Sequence, residues 1–146
     1  DLGMPMLAGD TWDSNVITEA AKGKSNIDLY VTTFYQEGGN AEFDAAFKEW
    51  INSDSTNLTN NNGNDMIAAV SVMGYDAYYV ALEALKAAGS TNPADVMTAL
   101  WDVTYDGITG HIAFDDENGD AVRDLAYVKH CNTETGAWDL VGEQGV

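Results

Sequence analysis

The chain has 146 residues, a length that suits one domain. A hydrophobic content of 45% with 10% aromatics excludes a disordered chain, and a formal net charge of −18 argues against nucleic acid or an anionic membrane surface as a partner. Cys131 is the only cysteine, so no intrachain disulfide can form, and no apolar run reaches the length of about 18 residues that a membrane span needs.

No signal peptide is visible. The opening Asp1-Leu2-Gly3 reads as the end of a helix stopped by Gly3, and so as a piece of something longer. The next stretch predicts a short buried strand over 6–8, a tight turn at Gly9, and a helix whose first turn begins near Asp13 or Ser14. The side chains of Asp10, Thr11 and Trp12 then fall where strand hands over to helix. In open α/β sheets ligands bind just past the carboxyl ends of strands. An acid, a hydroxyl and a large aromatic at that place point to a pocket for a small molecule with a positive charge. The alternative is that Asp10 caps the helix start.

The helix runs over 14–22, with Val16, Ile17 and Ala20 on one face and Gly23 as its stop. Residues 27–34, rich in β-branched and aromatic side chains, predict a buried strand, and strand–helix–strand predicts a parallel βαβ unit. After Gly38 and Gly39, Asn40 can cap a helix whose Phe43, Ala46, Phe47, Trp50 and Ile51 form an apolar stripe. Residues 52–65 are Ser, Thr, Asp and Asn with little apolar surface, and predict an exposed loop. The Asn57-Leu58-Thr59 sequon inside it carries little weight in a bacterial-looking chain.

A long helix follows over 66–88, with Val70, Met73, Ala77, Val80, Ala81, Ala84 and Leu85 along its apolar side. Tyr75, Tyr78 and Tyr79 add an aromatic cluster, and Gly89 ends the helix. Asn92 as cap and Pro93 at the first helical position start a further helix to Leu100 or Trp101. A turn-rich link over 104–110 leads to two strands, 111–114 and 125–130, expected to pair as a hairpin across 115–120, with Asn118-Gly119 in the turn. A third short strand is expected over 137–141. The first part reads α/β and the last third a small β-meander.

Catalysis finds no support. There is no nucleophile-elbow pattern, no phosphate-binding glycine loop and no dinucleotide fingerprint. The acidic run 115–120 misses the calcium-loop spacing, because Gly119 falls too early and the twelfth position is Ala126 or Tyr127. His111 and His130 lie on neighbouring predicted strands, but without a matched third ligand they make a weak metal site. Cys131 beside His130 is no nucleophile pair, since adjacent strand residues face opposite ways. No cofactor or metal is expected.

Taken together, Pro5 to Asp10, Met73 to Ala77, and Gly107-Ile108-Thr109-Gly110 running on to Asp115 and then Asn118-Gly119-Asp120 resemble the C-terminal part of a type I periplasmic binding protein, in the branched-chain amino acid (Leu/Ile/Val) ABC transporter branch. The similarity covers nearly all of this chain and about the last two-fifths of a family member with two lobes of ordinary domain size. The resemblance implies a partial type I fold of parallel βαβ units plus a C-terminal antiparallel hairpin. It divides the chain into 1–51 in the second lobe, 52–65 as the Asn-rich loop, 66–104 returning to the first lobe, and 105–146 at the hinge and hairpin. It also implies an extracytoplasmic solute-binding protein, periplasmic or a cell-surface lipoprotein in its full-length bacterial parent, which passes an amino-acid-like ligand to the membrane permease of an ABC transporter. By position, Asp10 takes the place of the acid that grips the ligand ammonium, Thr11 sits beside it and Trp12 walls the pocket. Met73 and Tyr75 face the cleft from the other lobe. Two departures stand out. The Asn-rich loop is long, and Asp10 is shorter than the Glu of leucine-type binders, which leaves amides, other amino acids and short peptides open as ligands. A ligand-sensing receptor ectodomain of the same fold and an enzyme on a flavodoxin-like scaffold are the alternatives, and self-association over an exposed cleft stays open.

Overall fold

The structure, a computed structural model, describes residues 3–145. The helix end expected at the chain's opening involves residues 1–2, which lie outside the described residues. Strand β1 (Met6–Ala8), helix α1 (Asn15–Ala21) and strand β2 (Leu29–Thr33) form the expected βαβ unit, with β1 and β2 parallel and Leu7 opposite Tyr30. Helices α2 (Ala41–Asn52), α3 (Ser55–Asn60), α4 (Ala69–Ala88) and α5 (Pro93–Leu100) follow. Five strands close the chain: β3 (Tyr105–Gly107), β4 (Gly110–Phe114), β5 (Ala121–Arg123), β6 (Leu125–Asn132) and β7 (Ala137–Gly145).

Two sheets result. One has the order β1-β2-β6-β7, with β6 antiparallel to both neighbours, and the other is the antiparallel β3-β4-β5. This corrects the expected hairpin. Strand β4 pairs with β5, across the turn where Gly119 takes a positive φ, and β6 leaves for the other sheet to lie against β2. His111 and His130 are therefore not neighbours. His111 bonds Asp106 (2.6 Å) and His130 bonds Asp28 (3.1 Å).

Each half has its own core. Ala21, Leu29 and Cys131 are buried between α1 and the four-stranded sheet, with Ala8, Ile17, Ile27 and Trp138 around them. In the helical half, Val80, Ala84, Val103 and Ile112 form one cluster. Tyr35, Ile67, Ala69 and Val72 form another, against which Phe43 and Phe47 of α2 pack. The stripe read on α2 thus faces α4 rather than the four-stranded sheet.

Local signals set several boundaries. The Asn40 side chain accepts from Phe43 N (3.0 Å) and caps α2. Asn92 caps α5 by accepting from Ala94 N (3.0 Å), with Pro93 at the first position. Gly89, at φ 57°, ends α4 in the left-handed conformation that glycine adopts without strain.

Four expectations need correction. Residues 52–65 are not simply an exposed loop. Asp54 accepts from Thr56 N (2.6 Å) and starts α3, and Asn61 then donates to Asn64 O and Met66 O. Helix α1 buries Asn15, Thr18 and Ala21 instead of Val16 and Ala20: Asn15 donates to Asn61 O, and Ala21 packs on Leu29 and Cys131. Strand β1 is an edge strand and is exposed, with Leu7 70% accessible. Helix α4 buries Ala69, Val72, Asp76, Val80 and Ala84, and leaves Val70 and Leu85 exposed.

Much apolar surface remains uncovered. The chain exposes 8762 Å², against about 7,300 Å² for an ordinary monomer of this mass. Tyr78 (64%) and Trp50 (58%) are among the exposed large side chains.

Candidate functional site

Past the end of β1, Gly9 is extended and leads into a single 3-10 turn, Asp10–Trp12, closed by Trp12 N to Gly9 O (3.1 Å) and Asp13 N to Asp10 O (2.9 Å). Helix α1 is capped by Ser14, whose hydroxyl accepts from Val16 N (3.2 Å). Asp10 is therefore not spent on capping. It is half-buried, and its carboxylate has no hydrogen-bond or ion-pair partner among the described residues. Thr11 is exposed beside it, and Trp12 leaves 45% of its surface accessible. A carboxylate with free acceptor sites next to an open indole face can take a cation by charge and by ring quadrupole together.

The next residue, Asp13, is buried. Lys129 Nζ donates to both its oxygens (3.1 and 3.0 Å), Thr33 Oγ1 donates at 2.8 Å and Ala69 N at 3.3 Å. Lys129 is buried too, so the charges are desolvated together and each depends on the other. The pair lies on the wall of a cavity of about 460 Å³ between the halves, which Glu37, Lys48, Asp65 and Trp138 also line. Gln36 Oε1 and Trp138 Nε1, both on this wall, are buried without a partner among the described residues.

On α4, Met73 and Tyr75 point different ways. Tyr75, 41% accessible, lines an apolar cleft of about 590 Å³ with Phe43, Phe47, Trp50 and Ile108. Its ring meets Phe43 edge-on (centroids 5.1 Å apart) and lies 4.8 Å from Tyr79. Hydrogen bonding to Tyr79, with burial second, pushes its hydroxyl up to about 12. Met73 lines a separate cavity of about 350 Å³ with Val80, Leu100, Ile112 and Phe114. Asp10, Thr11 and Trp12 line neither cavity. The structure thus joins the three strand-end residues in one turn, and puts Met73 and Tyr75 on opposite sides of their helix.

The residue after Tyr75 is Asp76, which is fully buried. Its oxygens accept from Ile108 N (2.9 Å), Thr109 N (2.8 Å) and Thr109 Oγ1 (2.6 Å). A Cβ at Gly107 would lie 2.6 Å from its carboxyl carbon. The Met73–Ala77 and Gly107–Gly110 motifs are therefore two sides of one lock, in which the β3–β4 turn wraps a carboxylate on α4. Arg123 reaches Thr109 from β5 and stacks over Phe34 (5.1 Å), and burial lowers its guanidinium from the ordinary value.

A model of the periplasmic binding protein family matches residues 1–135. The chain belongs to the periplasmic binding protein family. Solved structures of family type superpose on it. A leucine-binding protein, LivK, of Thermotoga maritima MSB8 aligns with TM-score 0.73 and 27% identity over 99% of this chain and 38% of its own. An ABC transporter substrate-binding protein of Desulfitobacterium hafniense in complex with Leu gives 0.62 and 25% over 96% and 36%. A solute-binding protein of R. palustris in complex with benzoate, at 19% identity and TM-score 0.66, shares the fold over 99% of this chain and 37% of its own. Metabotropic glutamate receptor-like protein E of Dictyostelium discoideum is 31% identical over 92% of this chain and 17% of its own length. The chain thus spans well under half of each of these relatives. Its type I periplasmic binding fold, α/β with parallel and antiparallel strands, matches the expectation from sequence.

Two residues of the cavity wall, Asp13 and Lys129, went unread in the sequence. Lys129 carried a signal, as one of only six Lys and Arg, set between Val128 and Cys131 in a strand with little alternation. Asp13 carried none, because its three partner residues lie 20, 56 and 116 positions away. Among the described residues no cluster of three His, Cys, Asp or Glu could hold a metal, and no helix is long and apolar enough to cross a membrane.

Proposed function

We propose that this chain is part of the solute-binding component of an ABC importer, which captures an amino acid or similar small cationic-ended solute between two lobes. The observation that carries this reading is the unpartnered Asp10 carboxylate beside Trp12, at a strand end in a periplasmic binding fold. Asp10 holds the ligand ammonium, Thr11 adds a hydroxyl and Trp12 covers the side chain. Tyr75 contributes from the facing half, and Met73 belongs to the packing beneath α4 and α5. The packing of α2 on α4 supports a lobe boundary in the connection from β2 to α2, at about residues 34–40, rather than at 51. The uncovered apolar surface fits a chain whose remaining lobe segments lie elsewhere in a longer polypeptide. That polypeptide acts outside the cytoplasm, anchored as a lipoprotein or free in the periplasm, and delivers its ligand to a membrane permease without chemistry on it.

The test is calorimetry with L-leucine and a panel of amino acids on the polypeptide that joins this segment to its other lobe. Asp10→Asn should weaken binding about tenfold or more, since a charge-assisted contact is lost. Equal affinity in the two proteins would remove Asp10 from the site. The likeness to the Dictyostelium receptor-like protein favours a second reading, a ligand-sensing ectodomain of a receptor. A membrane span joined to a signalling segment in the same polypeptide would decide for it.

A further inference from the structure

Helix α4 lacks a cap of its own. Its N-cap position is Ala68, which offers no side-chain acceptor, and its first turn holds no acid. A helix start leaves four backbone N–H groups without intrahelical partners and carries a partial positive charge. Here the acceptor comes from far along the chain: Asp13 Oδ2 takes the Ala69 N–H at 3.3 Å across 56 residues. Asp13 is also the C-cap residue of the Asp10–Trp12 turn, through its own N–H to Asp10 O. Its other donors, Lys129 and Thr33, belong to the four-stranded sheet. One buried carboxylate is thus fixed to one half by three bonds and to the other by a single backbone N–H.

We propose that Asp13 is the positioning residue of the site: it caps α4 across the boundary between the halves and ties the Asp10–Trp12 turn to the helix that carries Tyr75. The asymmetry of its bonds sets how it works. When the halves separate, the Ala69 bond breaks first. The Asp13 charge stays partnered by Lys129 and Thr33, and the head of α4 is left uncapped. Ligand drawn onto Asp10 and Trp12 holds the turn, and with it Asp13, against α4. This second step rests on the solute-capture reading, and the capping step does not.

Hydrogen exchange at the Ala69 amide tests both. Asp13→Ala with Lys129→Met removes the acceptor without leaving a buried unpaired charge. In the 146-residue chain it should speed Ala69 exchange about tenfold or more, while the Leu29 and Cys131 amides of the sheet stay protected. Adding Ala68→Ser supplies a local cap and should bring Ala69 protection back. Unchanged exchange at Ala69 in the double variant would overturn the cap. In the longer polypeptide, L-leucine should slow Ala69 exchange in the parent but not in the triple variant. Equal slowing in both would overturn the coupling. If L-leucine and the other amino acids bind to neither protein, the solute reading fails, and the exchange result in the 146-residue chain still decides the cap.

Discussion

Among the described residues, two buried aspartates are stabilised in opposite ways. Asp13 lies between the halves and depends on a side-chain cation, Lys129, buried with it. Asp76 lies within the helical half and depends on the N–H groups of Ile108 and Thr109 and the Thr109 hydroxyl. A carboxylate held by turn N–H groups is welded to one piece of backbone. A carboxylate held by a cation from one element and an N–H from another can lose one and keep the other. The first arrangement suits a rigid lock and the second a joint that moves. The difference separates what builds the helical half from what links it to the sheet.

The largest effect expected on this comparison comes from Lys129→Met. It leaves Asp13 charged and buried without its counter-ion and should cost about 3–5 kcal/mol in denaturant unfolding, whereas pairing it with Asp13→Ala should cost clearly less. If the single and double replacements cost the same, the two residues are not a coupled pair. Asp76→Ala should cost about 3 kcal/mol, by leaving the buried Thr109 N–H and hydroxyl and the part-buried Ile108 N–H without an acceptor. No replacement at another residue should rescue it as the Lys129 change is rescued. Gly107→Ala should follow at about 2 kcal/mol, because the new methyl meets the Asp76 carboxyl and the turn must shift.

The smallest effect is a pH response outside both pairs. Hydrogen bonding from the Thr56 backbone N–H holds the exposed Asp54 carboxyl below its ordinary value of 3.8. A depressed folded value means that the cap's contribution is present above 3.8 and is lost as pH falls through the lower folded value. On acidification below about 4, amides of α3 should exchange faster before those of α4 do. Simultaneous loss of both helices would show that Asp54 has no separate role.

What the sequence revealed was local. Asn40, Asn92 with Pro93, and Gly89 mark helix ends because a cap is a bond between residues two or three apart. The βαβ unit was legible for the same reason. The pairing of β6 was not. Nearness along the chain favoured β4 as its neighbour, while the partner it takes, β2, lies almost a hundred positions earlier: His130 sits opposite Tyr30. The buried face of α1 was misread because its first turn meets polar groups, while Ile17 and Ala21 further on pack against the apolar core. Asn15 bonds the Asn61 carbonyl and the Asn62 side chain, so hydrophobic periodicity carries no information in that first turn. Helix α3 escaped notice because Ser, Thr and Asn are weak helix formers, and the Asp54 cap outweighs their propensity. Strand-end chemistry singled out Asp10, Thr11 and Trp12 as candidates, and the structure joins them in one turn. The motif around Tyr75 drew attention to its neighbours, while Asp76 holds the fold there.

The most direct measurement is a structure of the longer polypeptide with L-leucine bound. The ligand nitrogen should lie within about 3 Å of the Asp10 carboxylate, with the Trp12 ring against the ligand. A bound amino acid whose nitrogen is held elsewhere, with Asp10 turned to solvent, would contradict this placement.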